Sequence, residues 1–213
     1  MKNSCAIIKQ LPEFESWLKA FQARTYFGVL KCAMVGCVLT TVVQSSSAML
    51  GITISLASQG IIDYQTAAAL VLGENIGTTI TAFLASLGAT TNARRAAYFH
   101  VLFNVIGVIW ITLIFSFFFE LIEWLVGVDA AKAVIVNGKE TFPYATAAIA
   151  AVHTVFNVAN TLAFFPLMPL CVRFLVWAVP SKPFKEKPKL TDLDIRMLET
   201  PSLAIEQSFK ELQ

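Results

Sequence analysis

The chain has 213 residues, of which 56% are hydrophobic and only 14% are charged, and its formal net charge is +2. Soluble domains carry about 25% charged residues, so this composition excludes an ordinary soluble domain and indicates an all-α integral membrane protein. The small net charge gives no reason to expect a nucleic-acid partner. The four cysteines lack the spacing of a disulfide framework or a metal site.

The first predicted membrane element is interrupted by a polar tetrapeptide. Residues 1–26 mix charged and apolar side chains, which predicts an interfacial or soluble N-terminal segment. An apolar run from Phe27 is then divided at Gln44-Ser45-Ser46-Ser47, the QSSS break, before it ends near Ser58. The two legs would span about 25 and 17 Å, each shorter than a hydrocarbon core of about 30 Å. We therefore expect a re-entrant hairpin with the QSSS break at its turn, although a single broken span agrees better with the positive-inside tendency.

The next apolar run, from Ala67 to Leu87, contains a polar stretch at its centre. This GENIGTT segment comprises residues 73–79. Lipid offers backbone groups no hydrogen-bonding partner, so helices break at bilayer depth only where the break is buried in protein or lines a polar cavity. Its glycines and hydroxyls predict such a break, and hence a broken transmembrane helix. A basic loop over Thr90–Arg95 and an unbroken span over Ala96–Phe119 are expected to follow.

The second half of the chain contains a loop, one long apolar run and a polar tail. Residues 120–143 are typical of a mildly acidic loop, in which Asn137-Gly138 predicts a turn between two short strands. The apolar run from Tyr144 to Val179 exceeds one span, and Pro166 and Pro169 are expected to kink or divide it. The predicted domains are a membrane repeat over 27–179, a linker over 180–190 and the incomplete start of a soluble helical domain over 191–213.

The basic residues predict the orientation of these spans. Arg94 and Arg95 form one basic cluster, and a second lies between residues 173 and 189. Both should face the cytoplasm, which leaves the loop over 120–143 outside. The expected location is the cell membrane, with several crossings.

Two polar breaks can give one site a cation-binding and an anion-binding end. A helix that enters a break ends in unpaired carbonyls, and the helix that leaves it begins with unpaired amides. Carbonyls of Thr41–Val43 and Val71–Gly73, with nearby hydroxyls and the amide oxygen of Asn75, are ligands that suit Na⁺. The amides of Ser46–Ala48 and Gly77–Thr79 are placed to hold an oxyanion. The alternative is that the hydroxyls bond to their own helix and the glycines only permit close packing.

Glu74 and Asn104 are further possible site residues. An ionisable group at membrane depth is a functional candidate by default, but Glu74 could equally be solvated at a water-accessible end. The motif HxxFN occurs twice, at His100–Asn104 and His153–Asn157, with His and Asn on one helix face. It predicts a polar seam between two helices, and the less favoured alternative places Asn104 near an ion path.

Nothing in the motifs indicates an enzyme. The chain has no GxSxG nucleophile elbow, no HExxH and no pair of intramembrane aspartates. An intramembrane hydrolase built from Ser45–Ser47 and a histidine is therefore not favoured.

At the QSSS break, the GENIGTT segment and Phe99–Asn104, the chain resembles the Na⁺/phosphate cotransporter family, the type II group with its bacterial relatives. That family has two inverted repeats, each with a QSSS motif followed by a G-x-N-I-G-T-T motif. The similarity covers residues 27–179, most like the second repeat, and the tail over 191–213 is similar to the start of a PhoU-like domain. Only one QSSS is present, and Glu74 stands where the family more often has a small residue.

The resemblance implies Na⁺-coupled symport of inorganic phosphate by one half of an inverted-repeat transporter. Na⁺ would be the coupling ion with no other cofactor, and the partners would be phosphate, membrane lipid and either a first-repeat half or a second copy. The site residues carried over by position are Gln44, Ser45, Ser46, Ser47, Asn75, Thr78 and Thr79. Those that would hold Na⁺ are Ser45, Ser46, Asn75 and Thr78. The alternative is a non-transporting truncated membrane protein or accessory subunit.

Overall fold

The computed structural model of the protein describes residues 22–136, 138–181 and 205–206. The chain divides into two compact units, Met1–Pro180 and Ser181–Gln213. In the second unit, Ile205 and Glu206 are helical. The predicted N-terminal segment falls almost entirely, and the predicted PhoU-like helix largely, outside the described residues, so both stay predictions. The elements of the first unit are, in chain order, α1 (Tyr26–Val43), α2 (Ser46–Ser58), α3 (Tyr64–Ala85), α4 (Thr91–Leu113), α5 (Phe115–Val126), β1 (Val134–Val136), β2 (Lys139–Thr141), α6 (Pro143–Phe164) and α7 (Met168–Ala178).

The first four helices begin at residues that suit a helix N-cap. The side chains of Thr25, Ser45, Asp63 and Thr90 each accept a hydrogen bond from the backbone N–H three residues later. Such caps satisfy one of the amides that a helix leaves unpaired at its start. The starts of these four helices are therefore set by local capping residues and not by the limits of the apolar runs.

In the part of the chain that the structure describes, four helices are long and apolar enough to cross a membrane, namely α1, α3, α4 and α6. The largely helical fold confirms the all-α prediction in coarse form. The described strands β1 and β2 pair antiparallel with Val134 opposite Thr141, and Gly138 in their turn has a φ of 76°. This confirms the predicted hairpin, although Asn137 itself lies outside the described residues.

Helix α3 is the centre of the first unit and contacts four helices, α1, α2, α4 and α6. Its glycine face packs against the backbone of α1, since a Cβ on Gly73 would overlap the carbonyl oxygen of Ala33. A second face meets α2, and a third meets α6 through a hydrogen bond between Asn75 and Asn157. Small residues at such a crossing let two backbones approach closely in a membrane.

The start of α1 and the end of α2 lie at the same end of α3. The amide of Ala23, just before α1, donates to the Thr66 hydroxyl in the first turn of α3 at 3.3 Å. The carbonyl of Ser58, at the end of α2, accepts from the amide of Phe142 at 2.8 Å. A cavity of about 170 Å³ is lined by residues of both junctions, which are Ala57, Gly60, Asp63, Tyr64, Phe142 and Ala145. The chain therefore leaves this end along α1 and returns to it along α2.

The start of α4, which carries Arg94 and Arg95, and the end of α7 also share one end. The guanidinium Nε of Arg95 donates to the carbonyl of Val179 at 2.9 Å, which joins the start of α4 to the residue after α7. The prediction that both clusters face one side of the membrane requires this arrangement. Helices α6 and α7 are separated at residues 165–167, so the predicted division near Pro166 and Pro169 is confirmed.

Three expectations about element boundaries are wrong. The GENIGTT segment does not break its helix, because α3 runs without interruption from Tyr64 to Ala85. The expected basic loop over Thr90–Arg95 is instead the first turn of α4, capped by Thr90. The apolar span expected to reach Phe119 ends at Leu113, and α5 occupies the first part of the expected loop over 120–143. Composition cannot locate a helix end such as the one at Ile114, since the residues on both sides of it are apolar.

Candidate functional site

The predicted QSSS break is confirmed. Helix α1 ends at Val43, Gln44 adopts the left-handed conformation with a φ of 57°, and its amide donates to the carbonyl of Thr40 at 2.7 Å. A non-glycine residue in this region costs free energy and commonly marks a functional turn. The chain turns at Gln44, although a glycine would adopt this φ with less strain.

The helix start at the QSSS break presents free amides. The hydroxyl of Ser45 accepts from the amide of Ala48 at 3.3 Å and lies 3.3 Å from the hydroxyl of Ser47. Among the described residues, the amides of Ser46 and Ser47 have no hydrogen-bond acceptor. A helix N-terminus with free amides and a positive dipole end binds oxyanions readily. This helix start therefore has the chemistry of an anion-binding site.

The GENIGTT segment supplies side chains but no free amides. The amide group of Asn75 donates to the carbonyl of Val71, and the hydroxyls of Thr78 and Thr79 donate to the carbonyls of Glu74 and Ile76. The backbone amides of Gly77–Thr79 are engaged within α3, so the expectation that they hold an oxyanion is wrong. These bonds match the alternative in which the hydroxyls bond to their own helix and the glycines permit close packing.

No hydrogen bond among the described residues joins the QSSS break to Asn75, Thr78 or Thr79. Asn75 instead accepts from the side chain of Asn157 on α6 at 3.1 Å. The structure therefore places the predicted site residues on two neighbouring parts of one unit, and their joint role stays a prediction.

The predicted polar seam between α4 and α6 exists, but a different asparagine makes it. Asn104 and Asn157 bond to the backbone carbonyls of His100 and His153 in their own helices. The seam is made by Asn160, which accepts from the indole of Trp110 at 3.1 Å and donates to the carbonyl of Phe103 at 3.0 Å. A tryptophan N–H within an apolar run needs a hydrogen-bond acceptor, so Trp110 was the residue in the sequence that could have indicated this contact.

Glu74 is buried rather than solvated. Its side chain is 1% exposed, and its Oε1 accepts from the hydroxyl of Thr53 on α2 at 2.8 Å. The alternative of a carboxylate at a water-accessible end is therefore wrong. The sequence had not singled out Thr53, because one threonine in an apolar helix carries no pattern.

A larger cavity lies away from the QSSS break. It has a volume of about 780 Å³ and lies between the starts of α1 and α3 and helix α5, and its charged lining residues are Arg24, Asp63, Glu120 and Glu123. The described residues contain no cluster of three or more His, Cys, Asp or Glu side chains suited to a metal ion.

Residues 9–130, more than half of the chain, match the family described as Na⁺/Pi-cotransporter. YqeW of Bacillus subtilis, an uncharacterized protein, is 36% identical over 149 residues, which cover 70% of this chain and 43% of YqeW. YjbB of Escherichia coli O157:H7 carries a provisional name as an inorganic phosphate export protein. It is 29% identical over 186 residues, covering 86% of this chain and 31% of YjbB.

A human relative matches over a shorter region. Sodium-dependent phosphate transport protein 2B is 41% identical over 80 residues, which cover 36% of this chain and 12% of that protein. The chain spans less than half the length of these relatives. No solved structure matches it significantly.

Proposed function

Because the chain belongs to the Na⁺/Pi-cotransporter family, we propose that it is a multi-pass membrane unit for Na⁺-coupled transport of inorganic phosphate. The observation that carries this proposal is the QSSS break, where a left-handed residue reverses the chain and a new helix begins with free amides. Both features suit the capture of an anion within an apolar protein, since the charge is met by dipoles rather than by a buried basic residue.

The segment from α1 to α2 is proposed to be a re-entrant hairpin. Helix α1, with 18 residues, spans about 27 Å and is just long enough to cross a membrane, whereas α2, with 13 residues, spans about 20 Å and falls short of a hydrocarbon core of about 30 Å. Both ends of the pair lie beside the first turn of α3 or the junction that precedes it. These contacts favour a hairpin that enters and leaves on one side over a single broken span.

Within this arrangement, the amides of Ser46 and Ser47 bind phosphate oxygens. Hydroxyls of Ser45 and Ser46 contribute to Na⁺ binding, together with side chains of Asn75 and Thr78 on α3. Neutral ligands of this kind hold a Na⁺ and an oxyanion side by side, because each ion offsets the charge of the other.

A second QSSS-bearing half, whichever chain supplies it, is proposed to complete the site. The resemblance is to one of two inverted repeats, and transporters of this architecture bind substrate at the interface of their repeats. The remainder of YqeW, which this chain does not match, is the complement to try first.

The direction of transport is a separate question, since one relative is named for phosphate export and another for sodium-dependent phosphate transport. Export of phosphate is therefore the second candidate function. Vesicles loaded with radiolabelled phosphate distinguish the two, because an exporter would release label without an inward Na⁺ gradient.

The central test is uptake of radiolabelled phosphate into proteoliposomes under an inward Na⁺ gradient. The chain is reconstituted alone and together with the unmatched part of YqeW. Ser45→Ala should reduce uptake at least tenfold, because it removes the cap and a proposed ligand. Ser58→Ala is the matched control, since its hydroxyl bonds only within the end of α2. Equal uptake by the two variants, or none in any combination with folded protein, contradicts the proposal, and the second result favours a non-transporting subunit.

A further inference from the structure

The cavity of about 780 Å³ beside the starts of α1 and α3 has no part in the proposed phosphate site. Its volume falls within the range of roughly 300–1,000 Å³ that is usual for small-molecule sites. Three of its charged lining residues, Arg24, Asp63 and Glu120, are exposed. A solute can therefore reach the cavity from the surface, and the residues of this cavity need a separate explanation.

Buried aromatic rings form one wall of the cavity. Phe115, Phe119 and Tyr64 all line it, and each is at most 7% exposed. The ring of Phe119 packs edge to face with both of the others, with centroid distances of 4.8 Å to Tyr64 and 4.5 Å to Phe115. Aromatic faces attract ammonium groups and also pack against methylene groups. This wall therefore suits an organic cation.

The charged side chains of the cavity leave an excess of negative charge. Asp63, Glu120 and Glu123 supply three negative charges, whereas Arg24 supplies the one positive charge among the described lining residues. These carboxylates do not form a cluster suited to a metal ion. A spherical metal ion, which needs its ligands around one point, fits this spacing poorly. An extended cation fits it better, because separate ammonium groups can lie beside separate carboxylates.

The hydroxyl of Tyr64 is an independent indication of a ligand. Tyr64 lines this cavity and also the smaller cavity of about 170 Å³. Its hydroxyl oxygen is buried, and no described residue forms a hydrogen bond with it. A buried hydroxyl without a partner costs free energy, and native structures usually supply a partner. An ammonium group carries N–H donors that this oxygen can accept.

We propose that this cavity binds an aliphatic diamine or polyamine. The ammonium groups bond to the carboxylates of Asp63, Glu120 and Glu123, and one of them also donates to the Tyr64 hydroxyl. The methylene chain between the ammonium groups packs on the aromatic wall. The ligand joins the start of α3 to α5, because Asp63 caps α3 and both glutamates lie on α5. Phosphate takes no part in this binding.

The test is binding of spermidine to the purified full chain in a non-ionic detergent, measured by isothermal titration calorimetry without phosphate. Glu120→Gln and Glu123→Gln should each weaken binding about two- to fivefold, as expected for ion pairs near a surface. Arg24→Gln should strengthen binding, because it removes a positive charge that repels the ligand. Tyr64→Phe should weaken binding but leave the thermal unfolding midpoint of the ligand-free chain unchanged or higher, since it removes a hydroxyl that lacks a partner.

Glu140→Gln is the matched control, because Glu140 is an exposed carboxylate on β2 that is not among the described lining residues. It should bind spermidine as the unmodified chain does. A linear octanediol, which is a neutral chain of similar length, should not bind. The proposal is overturned if the unmodified chain does not bind spermidine, if Glu140→Gln weakens binding as much as Glu120→Gln, or if Arg24→Gln weakens it. Displacement of spermidine by an equal concentration of Mg²⁺ would also overturn it, because the cavity would then be a metal site.

Discussion

The contact between α1 and α3 gives the sharpest test of the packing. A Cβ on Gly73 would overlap the carbonyl oxygen of Ala33, so Gly73→Ala forces two backbones apart. By contrast, no atom lies within 4 Å of a Cβ placed on Gly51 in α2, so Gly51→Ala meets open space. The two substitutions are chemically identical and both lie within apolar helices. Their difference therefore reports the packing alone.

The magnitudes follow from two opposing effects. Alanine is favoured over glycine within a helix by about 1 kcal/mol, and this gain is common to both variants. Overpacking typically costs about 1–3 kcal/mol, and Gly73→Ala should lie at or beyond the upper end because the atom it meets is main chain rather than a movable side chain. We expect Gly51→Ala to be stabilised by up to 1 kcal/mol and Gly73→Ala to be destabilised by about 2 kcal/mol.

The assay has two readouts. The free energy of unfolding is measured by titration with sodium dodecyl sulfate in mixed micelles, followed by circular dichroism. Cys32 on α1 is fully buried, so a maleimide should label it faster in Gly73→Ala when other cysteines are replaced. If Gly73→Ala were as stable as Gly51→Ala and its Cys32 equally protected, the close approach of α1 and α3 would be refuted.

Three further predictions concern hydrogen bonds and the turn. Asn160→Leu should lower the free energy of unfolding by roughly 1–3 kcal/mol and change the fluorescence of Trp110, because two buried bonds are lost; unchanged stability would contradict the seam. In a double-mutant cycle, Asn75→Ala and Asn157→Ala should couple by about 0.5–1.5 kcal/mol, whereas strict additivity would argue against their bond. Gln44→Gly should raise the free energy of unfolding by about 1 kcal/mol, since glycine adopts a φ of 57° without strain, and it should lower phosphate uptake. If stability and uptake both increased, the Gln44 side chain would have no part in the proposed site.

The QSSS break could be predicted because polar residues at a helix start act locally. Ser45 caps α2 through its own hydroxyl, which requires nothing from the rest of the fold. The re-entrant arrangement was inferred from leg lengths alone, and the contacts at Thr66 and Phe142 now favour it. Local chemistry and the thickness of a bilayer were sufficient for this part.

The GENIGTT segment shows where such reasoning fails. The same glycines and polar residues suit both a broken helix and an intact helix that packs tightly. Which of these two structures forms depends on the neighbouring helices. Gly73 meets α1, Glu74 meets α2 and Asn75 meets α6, so three successive residues serve three interfaces of an intact helix. The local sequence pattern does not show which helices pack against this segment.

The glycine face of α3 has a mechanical consequence. Where main chain touches main chain, no side chains can change rotamer to absorb a displacement, so α1 and α3 should move as one rigid body. The interface between α2 and α3, in contrast, is bridged by the side chains of Thr53 and Glu74, which can separate and rejoin. We therefore expect any rearrangement during the proposed transport cycle to slide α2 past a stationary α1–α3 pair.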